Sequence, residues 1–250
     1  MTGREHDIVR TFIKLSDRLV DDFDVVEVTT ELAEQCAELL GVAAAGLLLA
    51  DVGGVLHLLA ATSHHVRTVE ILQLQAEEGP CLDCFRTGRP VSVADLKAHR
   101  DRWPRFSAVA LDEGYASVHA IPMRLRNEVL GTLGLFGTSP GALEEEQLAV
   151  AQALAHVASL AIVQQGHTLP ASHVLTGLQA AVASRRLLEI AKGVVAESLG
   201  IGMDEAFIRL RGYARLRDQH LGEVARRVVS EAPARRAALL AELAAVGGPS

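Results

Sequence analysis

The residues best equipped for chemistry lie in the last third of the chain. From residue 185 to 217, seven cations (Arg185, Arg186, Lys192, Arg209, Arg211, Arg215 and Arg217) alternate with apolar residues at helical spacing, and Tyr213 sits among them. An Arg guanidinium is a planar fork of donors that clamps a phosphate and stacks on an exposed base. A tyrosine ring offers a second stacking surface. The set suits recognition of a polyanion, above all RNA with unpaired bases. The plainer alternative is a solvated helix face, with Tyr213 at the edge of a core.

A second candidate is the thiol pair Cys81-Leu82-Asp83-Cys84. Cys81 follows Gly79-Pro80 at a helix start, where the helix dipole lowers a thiol pKa. Cys81 and Cys84 are therefore candidates for redox or nitric-oxide sensing. The competing reading makes Cys81 a small buried hydrophobe, as free cysteines commonly are. One CxxC is half a zinc site at best, so no metal is expected. His64, His65, His99 and His119 have no matching Ser, Asp or Cys motif beside them, and Phe85, Phe106, Tyr115 and Phe136 read as core. Nothing combines a nucleophile with a base, pairs two carboxylates for catalysis or forms a phosphate loop. No enzyme activity and no cofactor are expected.

Composition sets the frame that must position these groups. With 49% hydrophobic and 22% charged residues, the 250-residue chain can bury a sizeable core and suits one medium domain plus a small one. Three cysteines are too few for a disulfide framework, and no signal peptide or bilayer-spanning apolar run stands out, so a cytoplasmic protein is expected. The net charge of −7 is unevenly spread. Residues 1–165 hold 13 Lys and Arg against 23 Asp and Glu, whereas residues 166–250 hold 11 against 8. Any nucleic acid belongs to the basic end.

Apolar spacing predicts a helix over residues 7–22, with Ile8, Phe12, Leu15 and Leu19 on one stripe. A second runs from Val25 to Leu40, between an Asp24 cap and Gly41. Strand-like runs follow at Val42–Ala50 and Val55–Ala61, joined across Gly53-Gly54. Helices are expected over 63–75, from Pro80 to near Gly88, and over 105–113, with a short strand at Val91–Ala94. A second hairpin joins Val118–Leu125 to Glu128–Phe136 across Arg126-Asn127. A long helix, Leu143–Val163, places Leu148, Ala151, Ala155, Ala158 and Ile162 on a seam between two helices, within one chain or from two subunits. Helix, hairpin, helices, strand, helix, hairpin, helix is an α+β pattern with an antiparallel sheet.

Three further short helices carry the basic residues, with Leu188, Ala191, Val195, Leu210, Tyr213, Ala214, Leu221, Val224 and Ala225 facing inward. Arg185, Glu189 and Lys192 are expected on an outer face. Such helices must pack together to be stable. Gly202, at the start of the second, lacks a capping side chain.

The strings LQAEEGPCLDCFRTGRPVSVADL, RWPRF and SVHAIPMRLRNEVLGTLGLF resemble a GAF domain over residues 20–165. SRRLLEIAKGVVAESLG, MDEAFIRLRGYAR and LGEVARRVV resemble an ANTAR domain. Over nearly its whole length the chain resembles the GAF–ANTAR regulators of actinobacteria. The resemblance implies a GAF-like sensor domain at 1–165 with terminal dimerisation helices, a linker at 166–173, an all-α three-helix ANTAR module at 174–231 and a tail at 232–250. It also implies a homodimer that prevents transcription termination by binding RNA hairpins, as dual stem-loops in nascent transcripts, with no membrane partner. Arg185, Arg186, Lys192, Gly193, Arg209, Arg211, Tyr213, Arg215 and Arg217 are the residues it points to for RNA. Two readings from the residues alone remain beside it: a helix-turn-helix DNA binder and a protein-interaction module.

Overall fold

The computed structural model describes residues 3–18, 24–51, 53–126, 128–164 and 172–246, with side chains over 6–15, 24–51, 53–126, 128–163 and 178–246. Leu19, residues 166–171 of the 166–173 linker and the last four residues lie outside that range; Ser172 and His173, the end of that linker, are already helical. The chain divides into two units, residues 1–180 and 181–250.

The first unit opens with helices α1 (Gly3–Arg18) and α2 (Val25–Leu40). Asp24 caps α2 by accepting from the amides of Val26 and Glu27 at 2.9 and 3.1 Å. Gly41 closes the helix in the left-handed region, at φ 67°, and the Val42 amide reaches back to the Ala37 carbonyl. That closure uses residues 41 and 42, so the first strand starts later than its apolar run. It is β1 (Ala44–Ala50), paired with β2 (Leu56–Ala61). Next come α3 (His64–Ala76), α4 (Pro80–Thr87), β3 (Val91–Val93) and α5 (Pro104–Asp112). The hairpin of β4 (Ser117–Leu125) and β5 (Glu128–Gly137) and the helix α6 (Glu145–Gln164) follow.

The five strands form one antiparallel sheet in the order β2-β1-β5-β4-β3. Every residue of β1 is buried. Its even-numbered side pairs Ala44 with Phe106 and Phe136 under α3 and α5, and Leu48 with Cys81 and Ala120 under α4. Helices α2 and α6 pack on the sheet as well. A strand covered on both sides reads as a continuous apolar run, as 44–50 does. Phe106, Tyr115 and Phe136 are core, and so is Trp103, whose indole nitrogen donates to Asp83 at 3.2 Å.

The seam Ala151, Ala155, Ala158 and Ile162 is fully buried within the chain, because α6 packs on β4 and α2. Of the two arrangements its period allows, it is the internal one, with Leu148 half-buried at its start. Residues 145–163 are long and apolar enough to span a bilayer; in this fold one side of that helix is buried against β4 and α2. On the outer side of α6, Ala149 and Ala153 are exposed and Val157 and Leu160 half-buried.

The second unit comprises the C-terminal part of α7 (Ser172–Leu199), then α8 (Met203–Leu216), α9 (Leu221–Ser230) and α10 (Pro233–Ala245). Gly200 ends α7 in the left-handed region, at φ 66°, and Gly202 begins α8 with no side-chain cap. Leu188, Ala191, Val195, Ala206, Leu210, Ala214, Leu221, Val224, Ala225 and Val228 are buried as their spacing predicts. Leu239 and Leu243 of α10 join them. The fold is thus an α+β sheet domain followed by an all-α module.

Candidate functional sites

The cations of the second unit fall into three groups. Arg186, Arg215 and Arg217 are exposed; Arg209 and Arg211 are half-buried, as is Gly193; Arg185 and Lys192 are buried, 9% and 6% exposed. Burial of Arg185 and Lys192 corrects the expectation that they stand on an outer face. They do share one side of α7, but Glu189 lies between them, 2.7 Å from Arg185 Nη2 and 3.4 Å from Lys192 Nζ. A carboxylate one turn away offsets the desolvation that burying either cation alone would incur.

Phe207 on α8 completes this cluster. Its ring centroid lies 5.6 Å from Lys192 Nζ and 5.9 Å from the Arg211 guanidinium carbon, within cation–π range of both. Sequence reasoning passed over Phe207 because a half-buried phenylalanine on a helix reads as core. Its signal was positional: Arg211 stands four residues on, one turn along the same face. Gly193 lies in the middle of α7, where glycine costs about 1 kcal/mol relative to alanine, and the space beside its Cα is open. A bulky partner can approach the backbone there.

Arg209 and Tyr213 are engaged within the unit. Arg209 Nη2 donates to Glu205 at 2.6 Å, and Nη1 donates to the Ala244 carbonyl at 2.9 Å. Tyr213 is buried, and its hydroxyl donates to Glu242 Oε2 at 2.9 Å. Arg217 donates to that same oxygen at 2.8 Å. Of the sequence-predicted set, Lys192 and Arg211 are brought together over one ring, and Tyr213 and Arg217 on one carboxylate.

In the first unit, Cys81 and Cys84 are fully buried. Burial pushes the Cys84 thiol up to about 12 and raises that of Cys81 well above its ordinary value, the nearby Glu70 carboxyl adding to the shift. Of the two readings of this pair, the structure supports the buried thiol over the low-pKa one: removal from water outweighs the end of an eight-residue helix. Glu70 lies on the inner side of α3. It is buried in full, accepts a hydrogen bond from Gln73 Nε2, and lies 3.8 Å from Cys81 Sγ. Gln73 in turn accepts from the Cys81 amide at 3.2 Å. Glycines make the room. A Cβ on Gly46 would lie 2.8 Å from Glu70 Oε1, and one on Gly134 would lie 2.6 Å from it. Desolvation pushes the Glu70 carboxyl up to about 8.

His119 has a neighbour that its local sequence does not supply. The β3–β4 pairing sets it opposite Ser92, with 2.7 Å between Ser92 Oγ and His119 Nδ1, while Nε2 faces the Gly141 carbonyl at 3.2 Å. No carboxylate completes the pair among the described residues' hydrogen bonds to His119, and burial lowers its pKa. Among the described residues no cluster of three His, Cys, Asp or Glu could hold a metal ion.

Comparison with known families decides what these units are. Residues 24–163 match the GAF domain, and residues 176–229 match the ANTAR domain. The chain belongs to the GAF family. No curated protein sequence matches it. Among solved structures it resembles the GAF domain of a phosphoenolpyruvate-protein phosphotransferase from Acinetobacter, at 15% identity and TM-score 0.53, covering 68% of this chain and 99% of that one. The GAF domain of the corresponding Coxiella burnetii protein gives 21% identity and TM-score 0.51, covering 63% and 94%. At such identities the likeness shows the GAF fold alone. A GAF sensor domain followed by an ANTAR domain is the organisation of a regulator.

Glu70 makes GAF stability depend on pH. A carboxyl whose folded pKa is raised binds its proton more tightly in the folded state, so folding is favoured while it is protonated. That advantage is lost as pH rises from its ordinary 4.5 through about 8. The melting temperature should therefore fall over this window in the wild type, and fall less in Glu70→Gln. Parallel curves for the two proteins would contradict the assignment.

Proposed function

We propose that this chain is a signal-responsive, RNA-binding transcription antitermination regulator. Helices α7–α9 bind RNA hairpin loops, as dual stem-loops of nascent transcripts, and the GAF domain controls that binding. The observation that carries the reading is the ANTAR match over helices that present Arg186, Arg215 and Arg217 to solvent beside the Lys192–Phe207–Arg211 cluster. The exposed arginines contact phosphates, Arg211 stacks or clamps, and Gly193 admits the RNA backbone. Arg185, Lys192 and Arg209 hold the surface in shape through Glu189 and Glu205. The protein acts in the cytoplasm and is not an enzyme. Its sensor domain spans residues 1–165, its linker 166–173 and its RNA-binding domain 174–231.

The working form is a homodimer. Val9 and Ile13 on α1 and the outer residues Ala149, Ala153, Val157 and Leu160 of α6 leave apolar side chains uncovered in one chain. A ligand that prefers one dimer arrangement by a few kcal/mol would realign the basic helices. Sedimentation equilibrium should find a dimer that Leu160→Glu converts to monomer; a monomeric wild type would contradict this.

RNA binding by the full chain should weaken steeply with salt. Arg215→Gln should reduce the slope of log affinity against log salt by about one, the signature of one lost phosphate contact. Arg211→Gln should cost about 1–3 kcal/mol and relax loop preference. If both variants bind with wild-type affinity and slope, the RNA surface is elsewhere.

A further inference from the structure

Helix α10 lies beyond residues 176–229, the stretch that matches the ANTAR domain. Its one acidic residue is Glu242. One oxygen of that carboxylate receives both the Tyr213 hydroxyl, at 2.9 Å, and Arg217 Nη2, at 2.8 Å. The Arg217 guanidinium lies 5.6 Å from the centre of the Tyr213 ring, and the Tyr213 hydroxyl is also a hydrogen-bond partner of Arg227. A phenol O–H and a guanidinium converging on one anionic oxygen form a donor set that holds a phosphate oxygen equally well.

The helix itself is anchored. Leu239 and Leu243 are buried, and Arg236 Nη2 donates to the carbonyls of Val229 and Glu231 at 3.0 and 3.2 Å. Only the Glu242 side chain need turn away for the position to open. The pair faces solvent, with the Arg217 side chain 58% and that of Glu242 46% exposed, so an outside anion can reach it. Exposed ion pairs are weak, and a phosphate diester presented by a bound polymer can displace such a carboxylate.

We propose that Tyr213 and Arg217 form a binding position for a backbone phosphate of RNA, and that Glu242 fills it in the unbound chain as a built-in competitor. The proposal rests on the RNA-binding reading above. It makes α10 a device that sets the affinity threshold of the module. A carboxylate in the position excludes weak, non-specific polyanions. An RNA held at other contacts supplies a phosphate at high local concentration and replaces it.

The test compares the full-length wild type with Glu242→Gln and Glu223→Gln. The second variant makes the same charge change at an exposed residue of α9. Each is titrated with a two-hairpin RNA and with long-chain inorganic polyphosphate, at several salt concentrations. Glu242→Gln should bind both probes about three- to fivefold more tightly, the range an exposed charge pair allows, with a steeper salt dependence. Glu223→Gln should change binding less. Equal gains in the two variants, or no gain or a loss in Glu242→Gln with helical content intact, overturn the proposal. Selective tightening toward polyphosphate without RNA binding by any variant keeps the phosphate position and removes the RNA reading. RNA binding indifferent to Glu242 with both probes does the reverse.

Discussion

Arg185 and Lys192 are buried beside one another with Glu189 standing between them and pairing with both. Each cation alone would lose its hydration without compensation; with the carboxylate one turn from each, three charges are held on one side of α7. The rest of the basic surface follows from that fixed row. Lys192 reaches the Phe207 ring, which lies near Arg211 as well, so helices α7 and α8 share one cation–π cluster. The arginines beyond this row, at 186, 215 and 217, keep their exposure. Part of the module's positive charge is therefore buried against its own carboxylate, while Arg186, Arg215 and Arg217 stay exposed.

The GAF domain repeats the pattern with the opposite sign. Glu70 occupies space that two glycines of the sheet leave open, and its proton, more than any counter-charge, makes that burial tolerable. A buried acid next to Cys81 and Gln73, over the centre of the sheet, is a polar weak point in an otherwise apolar core. It ties the packing of α3 and α4 to the ionisation of one group. The thiols beside it are held unreactive by the same burial.

Much of this was legible in the sequence. Apolar periodicity and glycine punctuation gave the helices and both hairpins to within a few residues, and the paired motifs pointed to both families before any coordinates. The burial of Tyr213 and the inner faces of α8 and α9 followed from spacing, and that of Cys81 from the ordinary behaviour of a free cysteine. What spacing could not supply was whatever depends on partners remote in sequence. Glu242 lies 29 residues from Tyr213 and 25 from Arg217, in the stretch that read as a tail. Glu70 looked like one polar residue on a helix, since its glycine neighbours belong to two different strands. Arg185 and Lys192 looked exposed because charge pattern reports a face and says nothing of what packs on it, such as the Phe207 ring near Lys192. The seam of α6 had the period of a subunit contact, and only the packing of α2 and β4 distinguishes that from an internal one.

The central claim is that the ANTAR helices recognise looped RNA. The most direct measurement is a salt titration of the full chain against a two-hairpin RNA, the same RNA with its loops closed by pairing, and duplex DNA of equal charge. The account predicts tight binding to the first and weaker binding to the other two, with the preference persisting as salt rises, because loop bases add contacts that phosphates do not. Equal affinity for all three, or binding that survives high salt without regard to loops, would contradict it.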